Sequence, residues 1–378
     1  MIFEETQAFE ARRPLSLPGR ILRLLHLDAP LLLALLALCG FGLVVLYSAI
    51  GQNTNAIIGQ SLRLGAALAA LLVLAQIPPA TLRSWAPWIF LGGLGLLVAV
   101  VLVGDIGKGA RRWLDLGVVR FQPSEIMKLA VPMLVAWYLH DRALPPTFHH
   151  VLVILAGILA PAMLIAIQPD LGTAVLVVCS GILALLLAGL RLRYILAAAA
   201  LALAALPVLW HFMLDYQRRR VLTFMNPESD PLGAGYNIIQ SKIAIGSGGV
   251  FGKGWLNGTQ AHLEFLPERA TDFIFAVIGE EFGLLGLLAL LALYLFIVGR
   301  GLYIAANAQD TFSRLLAGSI SLTFFVYVFV NAGMVSGLLP VVGVPLPLVS
   351  FGGTSMVTLL AGFGILMSIH TRRKLLPA

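Results

Sequence analysis

Long uninterrupted runs of apolar side chains are the feature that most constrains how this chain can fold. A helix needs about 20 residues to cross the hydrocarbon layer of a bilayer, and the apolar runs reach that length repeatedly. They lack the alternation that marks barrel strands, and only helices or closed barrels span lipid. Charged residues make up 11% of the 378 positions, against about 25% in a soluble domain. The sequence therefore predicts an all-α integral membrane protein.

Hydropathy predicts about ten transmembrane helices in one polytopic domain that extends from residue 28 to residue 378. The spans are expected near 29–49, 54–76, 82–104, 123–141, 149–168, 170–189, 192–213, 271–299, 313–336 and 348–370. Residues 1–27 form an N-terminal lead, and a large loop at 214–270 separates helices 7 and 8.

The distribution of Lys and Arg predicts the orientation, because short cytoplasmic loops of membrane proteins are enriched in these residues. The N-terminal lead, the C-terminal tail and the short loops on their side are rich in arginine. The short loops of the opposite side, at 50–53, 168–170 and 337–347, contain neither Lys nor Arg. We therefore expect both termini in the cytoplasm and the loops at 105–122 and 214–270 outside.

The short external loop at 105–122 is basic, against this preference. It contains Lys108, Arg111, Arg112 and Arg120. Positive charge kept on the outer side indicates an anionic ligand, and the alternative is that these residues bind phosphate headgroups of the outer leaflet.

Several ionisable residues lie within or at the mouths of the spans, where charge is costly and usually marks function. They are Arg63, Glu125, Lys128, Asp170, Glu280 and Glu281. Each also has a structural interpretation. Glu125 and Lys128 are three residues apart and can pair on one helix face, and Asp170 can cap the helix that follows it. The two adjacent glutamates can compensate Arg63 inside the bundle.

The segment from Pro267 to Asp272 combines two carboxylates at the junction of the large loop and a span. Pro267 suits the first turn of a helix, which would place Glu268 and Asp272 one turn apart on one face. Their repulsion and partial burial favour the protonated form, whereas a helix N-terminus favours the anion, so the balance stays open. A carboxylate beside Arg269 at a water–lipid boundary suits a general base that acts on a lipid-anchored anion.

An external site restricts the chemistry, because bond formation there must proceed without ATP. A lipid-linked sugar diphosphate carries its own leaving group, and its diphosphate would meet Arg and Lys. The residues alone would also allow a lipid flippase.

Six segments resemble the shape, elongation, division and sporulation (SEDS) family of membrane proteins. They are GARRWLDLG at 109–117, RFQPSEIMK at 120–128, QPDLGT at 168–173, PESDPLGAGYNIIQSKIAIGSGG at 227–249, LEFLPERATDFIFAVIGEEFG at 263–283 and GMVSGLLPVVGVPLPLVSFGG at 333–353. The fourth is similar to the elongation branch of the family more than to its division-specific branch.

The resemblance implies a peptidoglycan glycosyltransferase that polymerises lipid II outside the bacterial inner membrane during elongation and rod-shape maintenance. It implies a class B penicillin-binding protein (PBP2-type transpeptidase) as partner, within the elongation machinery, and a divalent cation, Mg or Mn, that supports activity. No metal ligand set can be identified in the sequence, and no organic cofactor is expected. Many relatives have His where this chain has Ala270.

The resemblance also assigns roles to residues. Asp272 is expected to be the catalytic general base that deprotonates the acceptor sugar. The residues expected to bind substrate are Arg111, Arg112, Glu125, Lys128, Asp170, Lys242, Glu268 and Arg269. The alternatives are a lipid II flippase, which broken helices near Pro340 and Ser350 would suit, and a scaffold that holds the transpeptidase.

Overall fold

In the computed structural model, ten long helices occupy the ten predicted spans. The structure describes residues 24–107, 110–115, 120–213, 215, 218, 222–223, 226, 228, 235–263 and 265–373. The ten helices are α1 (Ala29–Ala49), α2 (Thr54–Gln76), α3 (Pro79–Val103), α4 (Pro123–His140), α5 (Phe148–Ile167), α6 (Leu171–Leu187), α7 (Leu192–Phe212), α10 (Ile274–Ala306), α11 (Thr311–Val335) and α12 (Thr354–Thr371). Two shorter helices, α8 (Tyr236–Gly248) and α9 (Thr259–His262), lie in the large loop.

Length and composition separate these helices into two groups. Seven are long and apolar enough to cross a membrane: α1, α2, α3, α5, α10, α11 and α12. Helix α6 and the Leu192–Ala205 part of α7 are shorter apolar helices, and α4 carries the charged residues Glu125 and Lys128. The prediction of an all-α protein with many spans is confirmed.

Side-chain caps explain where several spans begin. Asp28, Asn53, Asp170 and Asp310 each accept a hydrogen bond from the backbone N–H three residues later, at the first turns of α1, α2, α6 and α11. Such caps satisfy amides that have no partner within the helix. The predicted role of Asp170 as a helix cap is therefore confirmed.

The two described ends of the chain lie at the same end of the bundle. His26 Nδ1 is 3.2 Å from Thr371 Oγ1, and Arg300 at the end of α10 binds Asp28 at the start of α1. This agrees with an even number of spans. Helices α11 and α12 are the most buried of the seven long apolar helices, and α2 is the least buried.

The basic loop between α3 and α4 contains three short strands, which the hydropathy pattern did not reveal. Strands β1 (Asp105–Gly107), β2 (Ala110–Asp115) and β3 (Arg120–Phe121) form an antiparallel ribbon in the order β1-β2-β3. Asp105 pairs with Trp113 and Leu114 pairs with Phe121. The ribbon connects α3 and α4 at the predicted outer end of the bundle.

Helix α10 is broken at Gly283, whose φ of 64° lies in the left-handed region that glycine adopts without a Cβ clash. The break frees carbonyls that a continuous helix would use. Those of Glu280 and Glu281 accept from Lys253 N and Gly254 N, each at 3.0 Å. Leu284 N in turn donates to Gly249 O at 2.9 Å. The glycine-rich turn after α8 thus satisfies the backbone of the broken span.

Candidate active site

The segment before α10 is a turn and not the start of a helix. Helix α10 begins at Ile274, and Glu268 has a φ of 54°. Thr271 N and Phe273 N both donate to Glu268 O, at 3.0 and 3.3 Å. The prediction that Glu268 and Asp272 share one helix face is therefore wrong, because the chain turns through a left-handed residue between Pro267 and the helix.

Three consecutive carbonyls of this turn are held from another part of the chain. Ala270 O accepts from Phe351 N at 2.8 Å, and Thr271 O accepts from Ser350 Oγ at 2.5 Å. Asp272 O accepts from Asn331 Nδ2 at 2.8 Å. Tertiary hydrogen bonds therefore fix the backbone that carries the predicted general base.

Residues 336–353, between α11 and α12, form an irregular segment that we call the platform loop. A Cβ built on Gly343 would lie 3.5 Å from Asp272 Oδ2, so the carboxylate sits directly over this glycine. Tyr294 Oη, buried in α10, donates to Pro347 O at 2.7 Å. A buried side chain of α10 thus holds the platform loop, and the loop contacts the Asp272 carboxylate at Gly343.

Glu268 and Arg269 line an open cavity of about 470 Å³ beside the end of α1. Arg269 Nε donates to Ala49 O at 2.7 Å, which ties the turn to that helix. Glu268 Oε2 accepts from Thr271 Oγ1 at 2.8 Å. Both residues precede Asp272 in the same turn, and their expected contact with substrate stays a prediction.

Lys242 of α8 also reaches the platform loop. A Cβ on Gly337 would lie 2.3 Å from Lys242 Cε and 2.8 Å from Nζ, so the end of the lysine packs over this glycine. The lysine side chain is exposed. Lys242 and Asp272 therefore contact the same loop, at Gly337 and Gly343, and the expected contact of Lys242 with substrate stays a prediction.

Glu125 and Lys128 form a buried ion pair in α4, with Lys128 Nζ 2.6 Å from Glu125 Oε1. The lysine Nζ lies 5.0 Å from the centre of the Tyr327 ring. The pair lines a small cavity of about 20 Å³, room for about one water molecule, between α4, α11 and α12. Tyr327 packs in one apolar cluster with Val344 of the platform loop. The ion pair is therefore linked through Tyr327 to the loop that contacts Asp272.

Arg112 and Asp170 form a clasp between the β-ribbon and the turn before α6. Arg112 Nε donates to Gln168 O at 3.2 Å, and Nη2 donates to Pro169 O. Its Nη1 lies 3.8 Å from Asp170 Oδ1, and Gln122 Nε2 donates to Asp170 Oδ2 at 2.9 Å. The guanidinium is thus engaged by protein groups.

Arg111 has its backbone in β2, opposite Ile106. Its side chain lies outside the described residues, as do those of Lys108 and Arg120. Their expected contact with an anion stays a prediction.

The two glutamates of the GEE sequence do not compensate Arg63 as expected. Glu280 is fully buried and accepts from Lys253 Nζ at 2.7 Å, and Ser48 Oγ donates to Glu281. Arg63 instead donates to Gln60 Oε1 and lies 4.8 Å from the Phe351 ring. Sequence spacing does not reveal that the large loop folds back to supply Lys253.

Asn331 is a site residue that the sequence reasoning did not single out. It is fully buried in α11, and its Nδ2 reaches both Asp272 O and Val344 O at 2.8 Å. An amide side chain inside an apolar span was the available signal, since polar groups in lipid are expensive. Among the described residues, no cluster of three or more His, Cys, Asp or Glu could hold a metal ion.

Nearly the whole chain is similar to one known protein family. Residues 29–375 match the model of the family described as cell cycle protein, which comprises FtsW, RodA and SpoVE. The chain belongs to this family. The matched residues include every helix from α1 to α12, and the resemblance to the SEDS family is confirmed.

Two curated relatives are similar over most of their length. The chain is 56% identical over 352 residues to peptidoglycan glycosyltransferase MrdB of Escherichia coli K12, covering 93% of this chain and 95% of the relative. It is 38% identical over 375 residues to a probable peptidoglycan glycosyltransferase FtsW of Geobacter metallireducens, covering 93% and 96%.

Two solved structures share the fold. One is Thermus thermophilus rod shape determining protein RodA, with a TM-score of 0.69 and 29% identity over 91% of this chain and 96% of that one. The other belongs to a study of polymerization and crosslinking by a peptidoglycan synthase complex, with a TM-score of 0.80 and 33% identity over 91% and 97%.

Proposed function

We propose that this chain polymerises lipid II into glycan strands at the outer face of the bacterial inner membrane during elongation, with Asp272 as the general base. It is a peptidoglycan glycosyltransferase, as the 56% identity to MrdB over 93% of the chain supports. The observation that carries the assignment of the base is structural. Three consecutive carbonyls anchor the turn that carries Asp272, its carboxylate lies over Gly343, and the preceding residues of the turn line an open cavity.

The proposed reaction is an inverting displacement. Asp272 accepts the proton from the 4-hydroxyl of the acceptor N-acetylglucosamine as that oxygen forms a bond to the anomeric carbon of the donor N-acetylmuramic acid. The bond between that carbon and the diphosphate oxygen breaks, and undecaprenyl diphosphate leaves with the electron pair. One glycosidic bond forms, one phosphoester bond breaks, and the proton passes from Asp272 to solvent.

Cationic side chains near Asp272 would stabilise the departing diphosphate, because positive charge placed beside a developing anion contributes strongly to catalysis. The candidates are Lys242 of α8, which packs over Gly337 of the platform loop, and Arg269, which lies in the same turn as Asp272. Arg112 is assigned a structural part, because its guanidinium binds the 168–170 turn. Glu125 and Lys128 form a buried pair, and their expected contact with substrate stays a prediction.

A divalent cation, Mg or Mn, remains the expectation from the resemblance, and the described residues do not gather a ligand set for one. No step is therefore assigned to a metal. Asp272, Arg269 and Lys242 provide the proton transfer and the charge stabilisation in this scheme.

The location and the partner are parts of the proposal. Loops without Lys or Arg at 50–53 and 168–170 support an outer position for the end of the bundle that carries Asp272, with both termini in the cytoplasm. A class B penicillin-binding protein would crosslink the new strands. The similarity to a chain from a peptidoglycan synthase complex supports such a partner.

A lipid II flippase is less well supported by the geometry. In a transporter, broken helices expose polar backbone to a substrate or ion cavity. Here the break at Gly283 is filled by the turn after α8, whose Lys253 N and Gly254 N bind the freed carbonyls. The polar backbone at this break therefore binds the protein's own amides and is not available to a transported substrate.

The function is tested by polymerisation of purified lipid II with the full-length protein in detergent, with and without a class B penicillin-binding protein and with and without chelator. We expect glycan strands longer than one disaccharide. Absence of polymer in every condition, together with movement of lipid II across vesicles that contain the protein, would contradict the proposal and support the flippase.

A further inference from the structure

The backbone of the catalytic turn depends on two polar side chains outside it, Asn331 in α11 and Ser350 in the platform loop. We propose that Asn331 and Ser350 are positioning residues, which set the place and direction of Asp272 without touching substrate. This inference rests on the proposed role of Asp272 as general base and extends it to the groups that aim the carboxylate.

Asn331 provides the strongest observation. Its side chain is fully buried, and its two amide hydrogens serve two carbonyls, Asp272 O and Val344 O, both at 2.8 Å. A single planar group therefore fixes the distance between the residue that carries the base and the loop on which its carboxylate rests. An aliphatic side chain of the same size would leave two carbonyls without donors, and an unsatisfied buried polar group is costly.

Ser350 completes the same link one residue earlier. Its hydroxyl donates to Thr271 O at 2.5 Å and accepts from Leu346 N at 2.8 Å. Phe351 N donates to Ala270 O beside it. Carbonyls 270, 271 and 272 are thus held in sequence by the platform loop and α11, so the turn cannot rotate without breaking these bonds.

The turn needs these bonds because it lacks helical ones. Thr271 N and Phe273 N both donate to Glu268 O, which closes the turn but leaves the carbonyls of residues 270–272 to other donors. A shift of about 1 Å in a catalytic group can lower a rate about 100-fold. Losing one of these bonds should therefore affect turnover more than it affects folding.

Ser319 offers a matched control for Ser350. It is fully buried in α11, and its hydroxyl donates to Ser180 O at 2.6 Å, a bond of the same kind. It lies 12 residues from Asn331 in the same helix, or about 18 Å along the axis at 1.5 Å per residue. Ser319→Ala removes a comparable bond at a distance from the turn.

The experiment compares Ser350→Ala, Ser350→Thr, Asn331→Leu and Ser319→Ala with the parent protein, each purified in detergent with lipid II as substrate. Melting temperature, kcat and KM are measured, together with hydrogen exchange of the amides of residues 268–276. Ser350→Ala is the milder change and serves if Asn331→Leu does not fold.

We expect Ser350→Ala and Asn331→Leu to lower kcat by about 30- to 100-fold with KM within about threefold, and to speed exchange in the turn. Ser350→Thr, which keeps the hydroxyl, should recover most of kcat. Ser319→Ala should lower the melting temperature about as much as Ser350→Ala but leave kcat and exchange in the turn unchanged.

Parental kcat and exchange in folded Ser350→Ala or Asn331→Leu would overturn the inference, as would an equal loss of kcat in Ser319→Ala. Failure of the proposed function gives a different result. In that case Asp272→Asn would polymerise lipid II normally, and hydrogen exchange alone would decide whether Asn331 and Ser350 hold the turn.

Discussion

Replacing Arg112 by glutamine should loosen the β-ribbon from the turn before α6 without removing a contact to substrate. Arg112 binds Gln168 O and Pro169 O and lies 3.8 Å from Asp170 Oδ1. Asp170→Asn keeps a helix cap, since asparagine caps as well as aspartate. The pair therefore allows a double-mutant cycle, in which the bond from Gln122 to Asp170 changes equally with and without Arg112 and so cancels.

The magnitude follows from exposure and distance. Two unit charges 3.8 Å apart attract by about 4 kcal/mol at an effective dielectric constant of 20 and by about 1 kcal/mol in water. The Arg112 side chain is 33% exposed and that of Asp170 is 11% exposed, so screening reduces the coupling to about 1–2 kcal/mol. Loss of the bonds to the two carbonyls adds about 1–2 kcal/mol. Arg112→Gln should therefore cost about 2–4 kcal/mol at the clasp.

The assay is the kcat and KM of lipid II polymerisation for the parent, both single variants and the double variant. If Arg112 acts through Asp170, the effect of Asp170→Asn should shrink by about tenfold in kcat/KM when Arg112 is already glutamine, which corresponds to about 1.4 kcal/mol.

Additive effects of Arg112→Gln and Asp170→Asn on kcat/KM would refute the proposal that Arg112 acts through Asp170. If Arg112 binds the diphosphate of the substrate directly, Arg112→Gln should raise KM by the same factor with either Asp170 or Asn at position 170. Additivity within about 0.5 kcal/mol, together with a rise in KM alone, would return Arg112 to the substrate site.

Two further predictions concern stability. Burial raises the pKa of Asp28, but hydrogen bonds from Arg300 and Leu31 N lower it by more, so it lies below its ordinary 3.8. The stabilisation is therefore present above about pH 4 and lost as pH falls through the folded-state pKa, and the melting temperature should fall more steeply in acid for the parent than for Asp28→Asn. Gly283→Ala should destabilise the protein by more than about 2 kcal/mol, because its Cβ would lie 2.3 Å from Gly252 N at a φ of 64°. Gly299→Ala, in the same helix with no atom within 4 Å of the added Cβ, is its control and should not lower the melting temperature.

The sequence predicts the spans well because each is a local property. Ten apolar runs gave ten helices, and the caps at Asp28 and Asp170 mark starts that side-chain chemistry determines. One boundary differs because backbone conformation overrides hydropathy. Residues 348–353 are largely apolar, yet α12 begins at Thr354, after Gly352 and Gly353.

The arrangement of the site depends on long-range contacts that spacing does not encode. Glu268 and Asp272 are close in sequence, but a left-handed residue removes the expected helix. Lys253 and Glu280 are 27 residues apart and meet only because the large loop folds back onto the break at Gly283. Sequence patterns identify which residues are unusual, whereas the fold determines what each of them touches.

The most direct test of the account is the polymerisation of lipid II by purified Asp272→Asn, measured beside Asp141→Asn. The Asp141 side chain is 93% exposed, at the opposite end of α4 from the predicted outer face, so it controls for loss of a carboxylate. We expect Asp272→Asn to fold with the parental melting temperature and to make no glycan polymer, and Asp141→Asn to polymerise as the parent does. Polymer of normal length and rate from Asp272→Asn would contradict the assignment of Asp272 as the general base.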